Sequence, residues 1–184
     1  MHGPVSPGWL LVALCAVTGG YCLLRMRSAV EEQRLAAGGE ALMGFGMAAM
    51  AVPAAAMAPP RWAWLGYAVV FGVAAARALW SARTSPHHLH HLVGALAMVY
   101  MAAVMVASPG GGHGGAGLPP VTGVLLVYFA SYVLWAGIRL MPVPAATGAR
   151  VPVARATGWG DRPELARACR LSMGIGMFAM LLTV

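Results

Sequence analysis

Six apolar segments, separated by short polar or Pro/Gly-rich stretches, are the feature that most constrains this sequence. They cover residues 9–26, 40–58, 62–80, 90–107, 121–139 and 166–184. Each is near the ~20 residues that an α-helix needs to cross ~30 Å of hydrocarbon. No stretch alternates between polar and apolar residues as a membrane β-barrel strand does. The sequence therefore predicts an all-α fold: a six-helix transmembrane bundle forming a single integral membrane domain over residues 1–184.

The composition agrees with a bilayer as the solvent. The chain is 60% hydrophobic and 9% charged, whereas about a quarter of the residues of a soluble domain are charged. The net charge of +7 comes from twelve arginines without any lysine. In a soluble protein such an excess would indicate a nucleic-acid partner. Here the arginines lie between apolar segments, so they indicate orientation in lipid and no nucleic-acid partner is expected.

The distribution of the arginines predicts the topology. Eleven of the twelve flank the first, third and fifth loops, and only Arg61 lies on the other side. Because positive charge is retained in the cytoplasm, these three loops are predicted to be cytoplasmic, including the longest, residues 140–165. Both termini are then outside. The abundance of Ala, Gly and Arg is typical of GC-rich bacterial genomes, so the predicted location is the bacterial plasma membrane.

The second and sixth segments share an internal repeat. Residues 43–50 and 173–180 both have the pattern M-G-x-G-M-x-A-M. Glu40 and Arg170 each precede the first methionine of the repeat by three residues. Since both helices run in the same direction, the two side chains should lie at similar depth. We therefore predict a structural Glu40–Arg170 ion pair between these helices.

Methionines recur at helical spacing in three segments that are predicted to cross the membrane in the same direction. They are Met43, Met47 and Met50 in the second, Met98, Met101 and Met105 in the fourth, and Met173, Met177 and Met180 in the sixth. Each set occupies one helical face. If the faces converge, the thioethers could bind Cu(I), which soft sulfur ligands select. The alternative is that methionine, being flexible and polarizable, simply fills the helix-bundle core.

Histidines cluster where the fourth segment begins. His87, His90 and His91 share a face if the helix starts near residue 87, and imidazole binds copper, zinc, iron and nickel. With Glu40 they form a predicted metal site at the cytoplasmic side. The alternative is an interfacial group of histidines that responds to pH. Haem is disfavoured as a cofactor, because a bis-histidine haem needs histidines on two helices.

The cysteines and the other reactive residues indicate no specific site. Cys15, Cys22 and Cys169 show neither metal-binding nor disulfide spacing, so we expect them to pack as small apolar residues. No nucleophile motif or nucleotide-binding loop is present, and no catalytic residue is predicted.

Residues 40–50 and 90–101, with Cys22-Leu-Leu-Arg25, resemble a family of short multi-pass bacterial membrane proteins catalogued as a domain of unknown function. The resemblance covers nearly the whole chain and is weakest in the fifth loop. It implies the same topology and makes Glu40, His90, His91 and the methionines motif positions. It implies no reaction and no ligand.

Three hypotheses follow for the function. The first is a membrane protein that binds or translocates copper, with lipid and a metal ion as its partners. The second is a non-catalytic structural or accessory subunit with a methionine-rich core. The third is a membrane-embedded metalloenzyme or haem protein, although the sequence favours a protein without enzymatic activity.

Overall fold

The computed structural model describes residues 5–27, 31–53, 56, 59–82, 89–107, 117–140 and 162–183. These residues form six α-helices and contain no strand. The helices are α1 (Val5–Arg25), α2 (Glu31–Met50), α3 (Arg61–Ala82), α4 (Leu89–Ala107), α5 (Pro119–Leu140) and α6 (Pro163–Leu181). The prediction of an all-α protein with six helices is confirmed. His87 and residues 141–161 of the predicted fifth loop lie outside the described residues.

Proline fixes several helix boundaries. Pro119 and Pro163 open α5 and α6, where the missing N–H is not needed for a helical hydrogen bond. Pro53 explains the largest correction to the predicted segments. The second was predicted over residues 40–58, but α2 begins at Glu31 and ends at Met50. A proline at position 53 cannot continue a helix, because it lacks an N–H and its ring clashes with the preceding turn.

The helices pack mainly as three antiparallel hairpins, α1 with α2, α3 with α4, and α5 with α6. Direct contacts of α2 with α4 and α6, and of α1 with α6, join the hairpins into one bundle. We call one end of the bundle the arginine end: the last turns of α1, α3 and α5 and the first turns of α2, α4 and α6. At the opposite end, the Tyr100 hydroxyl lies 2.7 Å from that of Thr122 and joins α4 to α5.

Four helices are long and apolar enough to cross a membrane, and they indicate a membrane protein. Within the described residues these candidate spans are Pro7–Arg25, Arg61–Ser81, Leu89–Ala107 and Pro119–Leu140. α2 and α6 do not meet the same criterion, since their first turns are polar. Their later turns instead carry much of the buried core, together with α4.

The outer surface carries the apolar side chains expected to face lipid. α5 buries only Phe129 and exposes Val124, Val127 and Leu134. On α3, Trp62 and Trp80 lie at opposite ends and are 74% and 75% exposed. Eighteen residues of helix separate them by roughly 27 Å, close to the thickness of the hydrocarbon layer. This is the spacing of two interfacial tryptophan belts.

Candidate functional site

A fully buried carboxylate joins three helices near the arginine end. Glu40 of α2 is 0% exposed. Its Oε2 accepts a hydrogen bond from Nη1 of Arg25 on α1 at 2.5 Å, and its Oε1 accepts one from Nε of Arg170 on α6 at 2.6 Å. We call these three residues the Glu40 cluster. The Glu40–Arg170 contact anticipated by the repeat is present in the structure.

Arg25 is the member of the cluster that the sequence did not reveal. Its side chain is 5% exposed, whereas that of Arg170 is 41% exposed. Arg25 ends α1 and Glu40 lies in the antiparallel α2, so the hairpin itself places the two side chains opposite each other. Hairpin geometry was the available signal, but Arg25 had been interpreted as a determinant of topology and as part of the family resemblance, and not as a partner of Glu40.

The cluster has an unbalanced charge and an unused hydrogen-bond donor. Two guanidinium groups face one carboxylate. In addition, Nε of Arg25 is buried and has no hydrogen-bond partner among the described residues. A buried donor without an acceptor is costly, and net charge at a membrane edge needs compensation. The cluster therefore carries one more positive than negative charge.

A thiol lies beside this cluster. Cys22 of α1 donates a hydrogen bond to Oε2 of Glu40 at 3.6 Å. Cys22 and Cys169 of α6 are both free cysteines, and Cys22 is buried whereas Cys169 is half-buried.

The methionine faces of α2, α4 and α6 all point into the bundle. None of the nine side chains is more than 7% exposed, and all except the equally buried Met105 belong to one continuous core cluster. We call these nine residues the methionine core. They are Met43, Met47, Met50, Met98, Met101, Met105, Met173, Met177 and Met180.

The glycines of the repeat bring the helices close enough for this convergence. A Cβ at Gly44 would lie 2.9 Å from the Cα of Gly19 on α1, and one at Gly174 would lie 3.1 Å from Cδ1 of Tyr132 on α5. The first glycine of each copy therefore packs against the helix that precedes it in the chain. Small residues permit this close approach in lipid.

Sulfur atoms of α1 and α2 lie close to Gly176, the second glycine of the repeat in α6. The position of a Cβ at Gly176 is 3.4 Å from Sγ of Cys15 and 3.6 Å from Sδ of Met47. Met43 reaches α4, where its Sδ is 3.0 Å from the position of a Cβ at Gly94. The sulfur atoms of α1 and α2 thus lie directly against α4 and α6.

His90 is held by aromatic residues of α5. Its ring stacks on Tyr132 with 3.8 Å between ring centroids, and its Nδ1 lies 3.1 Å from the Tyr128 hydroxyl. The ring centroid of His91 is 6.1 Å from that of His90. The four-residue spacing of Tyr128 and Tyr132, which places both on one face of α5, was a signal for this contact in the sequence.

Glu40 was predicted to form a metal site with His90 and His91, but its hydrogen-bond partners in the structure are other residues. Its carboxylate oxygens bind arginines, while His90 binds tyrosines. Over the parts of the chain that the structure describes, no three His, Cys, Asp or Glu side chains are grouped as they would be to hold a metal ion. The nine methionine side chains of α2, α4 and α6 are instead all buried in the bundle.

Comparison with known proteins gives a family but no function. Residues 32–184 match a family described as a domain of unknown function, DUF5134. No curated protein and no solved structure matches the chain. The matched residues contain α2 to α6 and with them the methionine core, Glu40 and Arg170, whereas Arg25 and Cys22 precede them. Because the match covers most of its length, the chain belongs to the DUF5134 family.

Proposed function

We propose that this protein is a multi-pass protein of the bacterial plasma membrane that binds Cu(I) in its interior and passes it between the two sides. The observation that carries the proposal is the burial of three methionine faces, from three helices, in a single core. Thioethers are weak ligands for hard cations but suit Cu(I). Several thioethers along parallel helices would offer a Cu(I) ion successive binding sites of similar affinity.

The orientation follows from the arginines. Arg25, Arg77, Arg139 and Arg170 lie towards the arginine end, and Arg61 begins α3 at the other. By the positive-inside tendency, the arginine end faces the cytoplasm and both termini face outward. The Glu40 cluster and His90 are then on the cytoplasmic side of the methionine core.

The roles of the predicted ligands differ in this proposal. Met43, Met47, Met98, Met101, Met173 and Met177 provide the path, with Met50 and Met180 nearest the outer end. His90 and His91, with His87, supply imidazoles near the cytoplasmic entrance. Glu40 serves as the structural partner of two arginines, since both of its oxygens already accept hydrogen bonds.

A second candidate function is that of a structural or accessory subunit without a metal. It is favoured by the Glu40 cluster, which binds α1, α2 and α6 together without requiring any ligand. In that case methionine serves as an adaptable filler of the core. The two candidates differ in one measurable property, copper bound per chain.

The test is to purify the full chain in detergent, add Cu(I) without oxygen, remove the excess and measure copper per chain. We expect stoichiometric copper in the wild type and a clear loss in the double variant Met47→Leu, Met177→Leu. Leucine conserves volume and apolarity, so packing is largely retained while both sulfurs are lost. Met26→Leu is the matched control, because Met26 is 39% exposed and lies outside the methionine core.

Two results would argue for the accessory subunit instead. One is a wild-type protein that retains no copper under these conditions. The other is a double variant that retains as much copper as the Met26→Leu control. Thermal unfolding of all three proteins shows whether a loss of copper reflects a loss of fold.

A further inference from the structure

α4 and α5 are joined by side chains rather than by close packing of their backbones. They are not among the helix pairs of the described residues whose backbones pack closely. Towards the arginine end, His90 contacts the Tyr128 hydroxyl, and towards the other end Tyr100 contacts Thr122. The boundary between two hairpins thus runs between these helices. We call it the α4–α5 seam.

Four residues of α5 form a stripe along this seam towards the arginine end. Tyr128, Tyr132, Trp135 and Arg139 follow the spacing i, i+4, i+7 and i+11, so they share one helical face. The ring of His90 lies against the two tyrosines. The rest of the stripe is accessible, since Trp135 is 54% exposed and Arg139 is also exposed. The stripe therefore ends in an exposed tryptophan and an exposed arginine.

The guanidinium of Arg139 is held in place without being neutralised. Its Cζ lies 4.0 Å from the centroid of the Trp135 ring, in a cation–π contact. Within the described parts of the chain, Arg139 forms no ion pair. Stacking uses the face of a guanidinium and leaves the N–H groups at its edge free. Such an edge matches phosphate, which it can bind through two parallel hydrogen bonds.

A second guanidinium lies on α6 at similar depth. A Cβ at Gly174 would be 3.1 Å from Cδ1 of Tyr132, so these two residues set the register of α5 against α6. Because the helices are antiparallel, Arg170, one turn before Gly174, is level with the turn of α5 that follows Tyr132. The Arg170 side chain is 41% exposed, and the Glu40 cluster to which it belongs carries one excess positive charge.

We infer that the arginine end of the α4–α5 seam binds an anionic phospholipid, with its phosphate on Arg139 and within the field of Arg170. Its acyl chains would lie along Leu134 and Ile138, which are 68% and 67% exposed beside the stripe. Trp135 would then meet the headgroup region, where tryptophan is enriched. Basic pockets between membrane helices bind anionic headgroups in this way.

The charge selects the class of lipid. A zwitterionic lipid brings a positive group together with its phosphate and leaves the excess charge of the arginines in place. An anionic lipid supplies the missing negative charge. A lipid bound at the seam would contact both hairpins and so support their association. This inference is independent of copper, because neither Arg139 nor Trp135 belongs to the proposed metal path.

The first experiment measures lipid binding to the delipidated full chain in a neutral detergent by native mass spectrometry. The probes are phosphatidylglycerol and phosphatidylcholine with the same acyl chains. We expect the wild type to bind its first phosphatidylglycerol more tightly than its first phosphatidylcholine. Arg139→Gln should weaken the binding of phosphatidylglycerol about 5-fold, the effect of one basic residue next to anionic lipid.

Arg77→Gln is the matched control for Arg139→Gln. Arg77 is also exposed and lies towards the arginine end, but on α3, which does not pack closely against α5. The two variants make the same change in charge, so only the position differs. Trp135→Leu is a second variant of the site. It keeps an apolar side chain but removes the ring that orients Arg139, and it should also weaken the binding of phosphatidylglycerol.

Three results would overturn the inference. The first is a wild type that binds both lipids equally. The second is an equal loss in Arg139→Gln and Arg77→Gln, which would reflect total charge alone. The third is displacement of phosphatidylglycerol by inorganic phosphate, which would assign the site to a free anion. Thermal unfolding shows whether each variant is folded. Cu(I) binding should be unchanged in Arg139→Gln, so lipid binding and copper binding can fail separately.

Discussion

Glu40 is the residue at which three helices meet, and its two arginine partners differ in their exposure to solvent. The Arg25 side chain is 5% exposed and the Arg170 side chain 41%. Loss of Arg25 would remove a buried charge-assisted hydrogen bond from the fully buried carboxylate, and only the partly exposed Arg170 would remain as its charged partner. Exposed ion pairs contribute little, because water and salt screen them. The two contacts should therefore contribute unequally to stability.

Arg25→Met should destabilise the protein by about 1.5–3 kcal/mol, the usual contribution of a hydrogen bond to a charged group, and Arg170→Met by about 1 kcal/mol or less. Methionine keeps the length of the side chain while removing its charge. Thermal unfolding in detergent provides the comparison. Arg167→Met is the control, because Arg167 is exposed one turn before Arg170 on α6. Equal losses for Arg25→Met and Arg170→Met would show that burial does not distinguish the two contacts.

At the scale of elements, the backbones of α1 and α2 approach each other closely at Gly19 and Gly44. A Cβ at Gly44 would lie 2.9 Å from the Cα of Gly19. Backbone atoms cannot rotate away as a flexible side chain can. The same helix offers a contrast, since a Cβ at Gly39 would have nothing within 4 Å.

Gly44→Ala should therefore separate α1 from α2 and cost about 1–3 kcal/mol, the usual effect of overpacking. Gly39→Ala should be neutral or up to about 1 kcal/mol stabilising, because alanine has the higher helix propensity. Both variants change one hydrogen into a methyl group in α2, so their difference reports packing alone. Urea or thermal unfolding measures it. A stable Gly44→Ala variant would argue against tight α1–α2 packing.

The helices and their faces were predictable from the sequence because both depend on local patterns along the chain. Apolar segments of sufficient length indicate the helices, and the 3.6-residue period assigns each methionine stripe to one face. Contacts between segments distant in sequence have no such period. The stacking of His90 on Tyr132 depends on the relative rotation of α4 and α5. The early end of α2 depends on Pro53, which was included in a segment on hydropathy alone.

At the scale of the whole molecule, the bundle has exposed polar helix starts and a largely apolar outer surface. α2 and α6 are not apolar enough in their full length to count as membrane spans, while the other four helices are. The methionine core nevertheless lies in these two helices and α4.

The predicted orientation can be tested with reporter fusions. Alkaline phosphatase fused after Val184 should be active, and green fluorescent protein at the same position dark, since the C-terminus is predicted outside. Truncation after Ala82, the last residue of α3, should reverse both signals, because that end is predicted cytoplasmic. Active phosphatase after Ala82 would contradict the assignment of the arginine end to the cytoplasm.

The two arginine partners of Glu40 are made at very different times during synthesis of the chain. Arg25 is 15 residues from Glu40 in sequence, whereas Arg170 is 130 residues away. During synthesis the first hairpin is complete long before α6 leaves the ribosome. We therefore expect Arg25 to neutralise Glu40 when α1 and α2 enter the bilayer, because an unpaired carboxylate would resist insertion. Oε1 of Glu40 would then bind Arg170 only after α6 has been made, so this contact would help the last helix to dock.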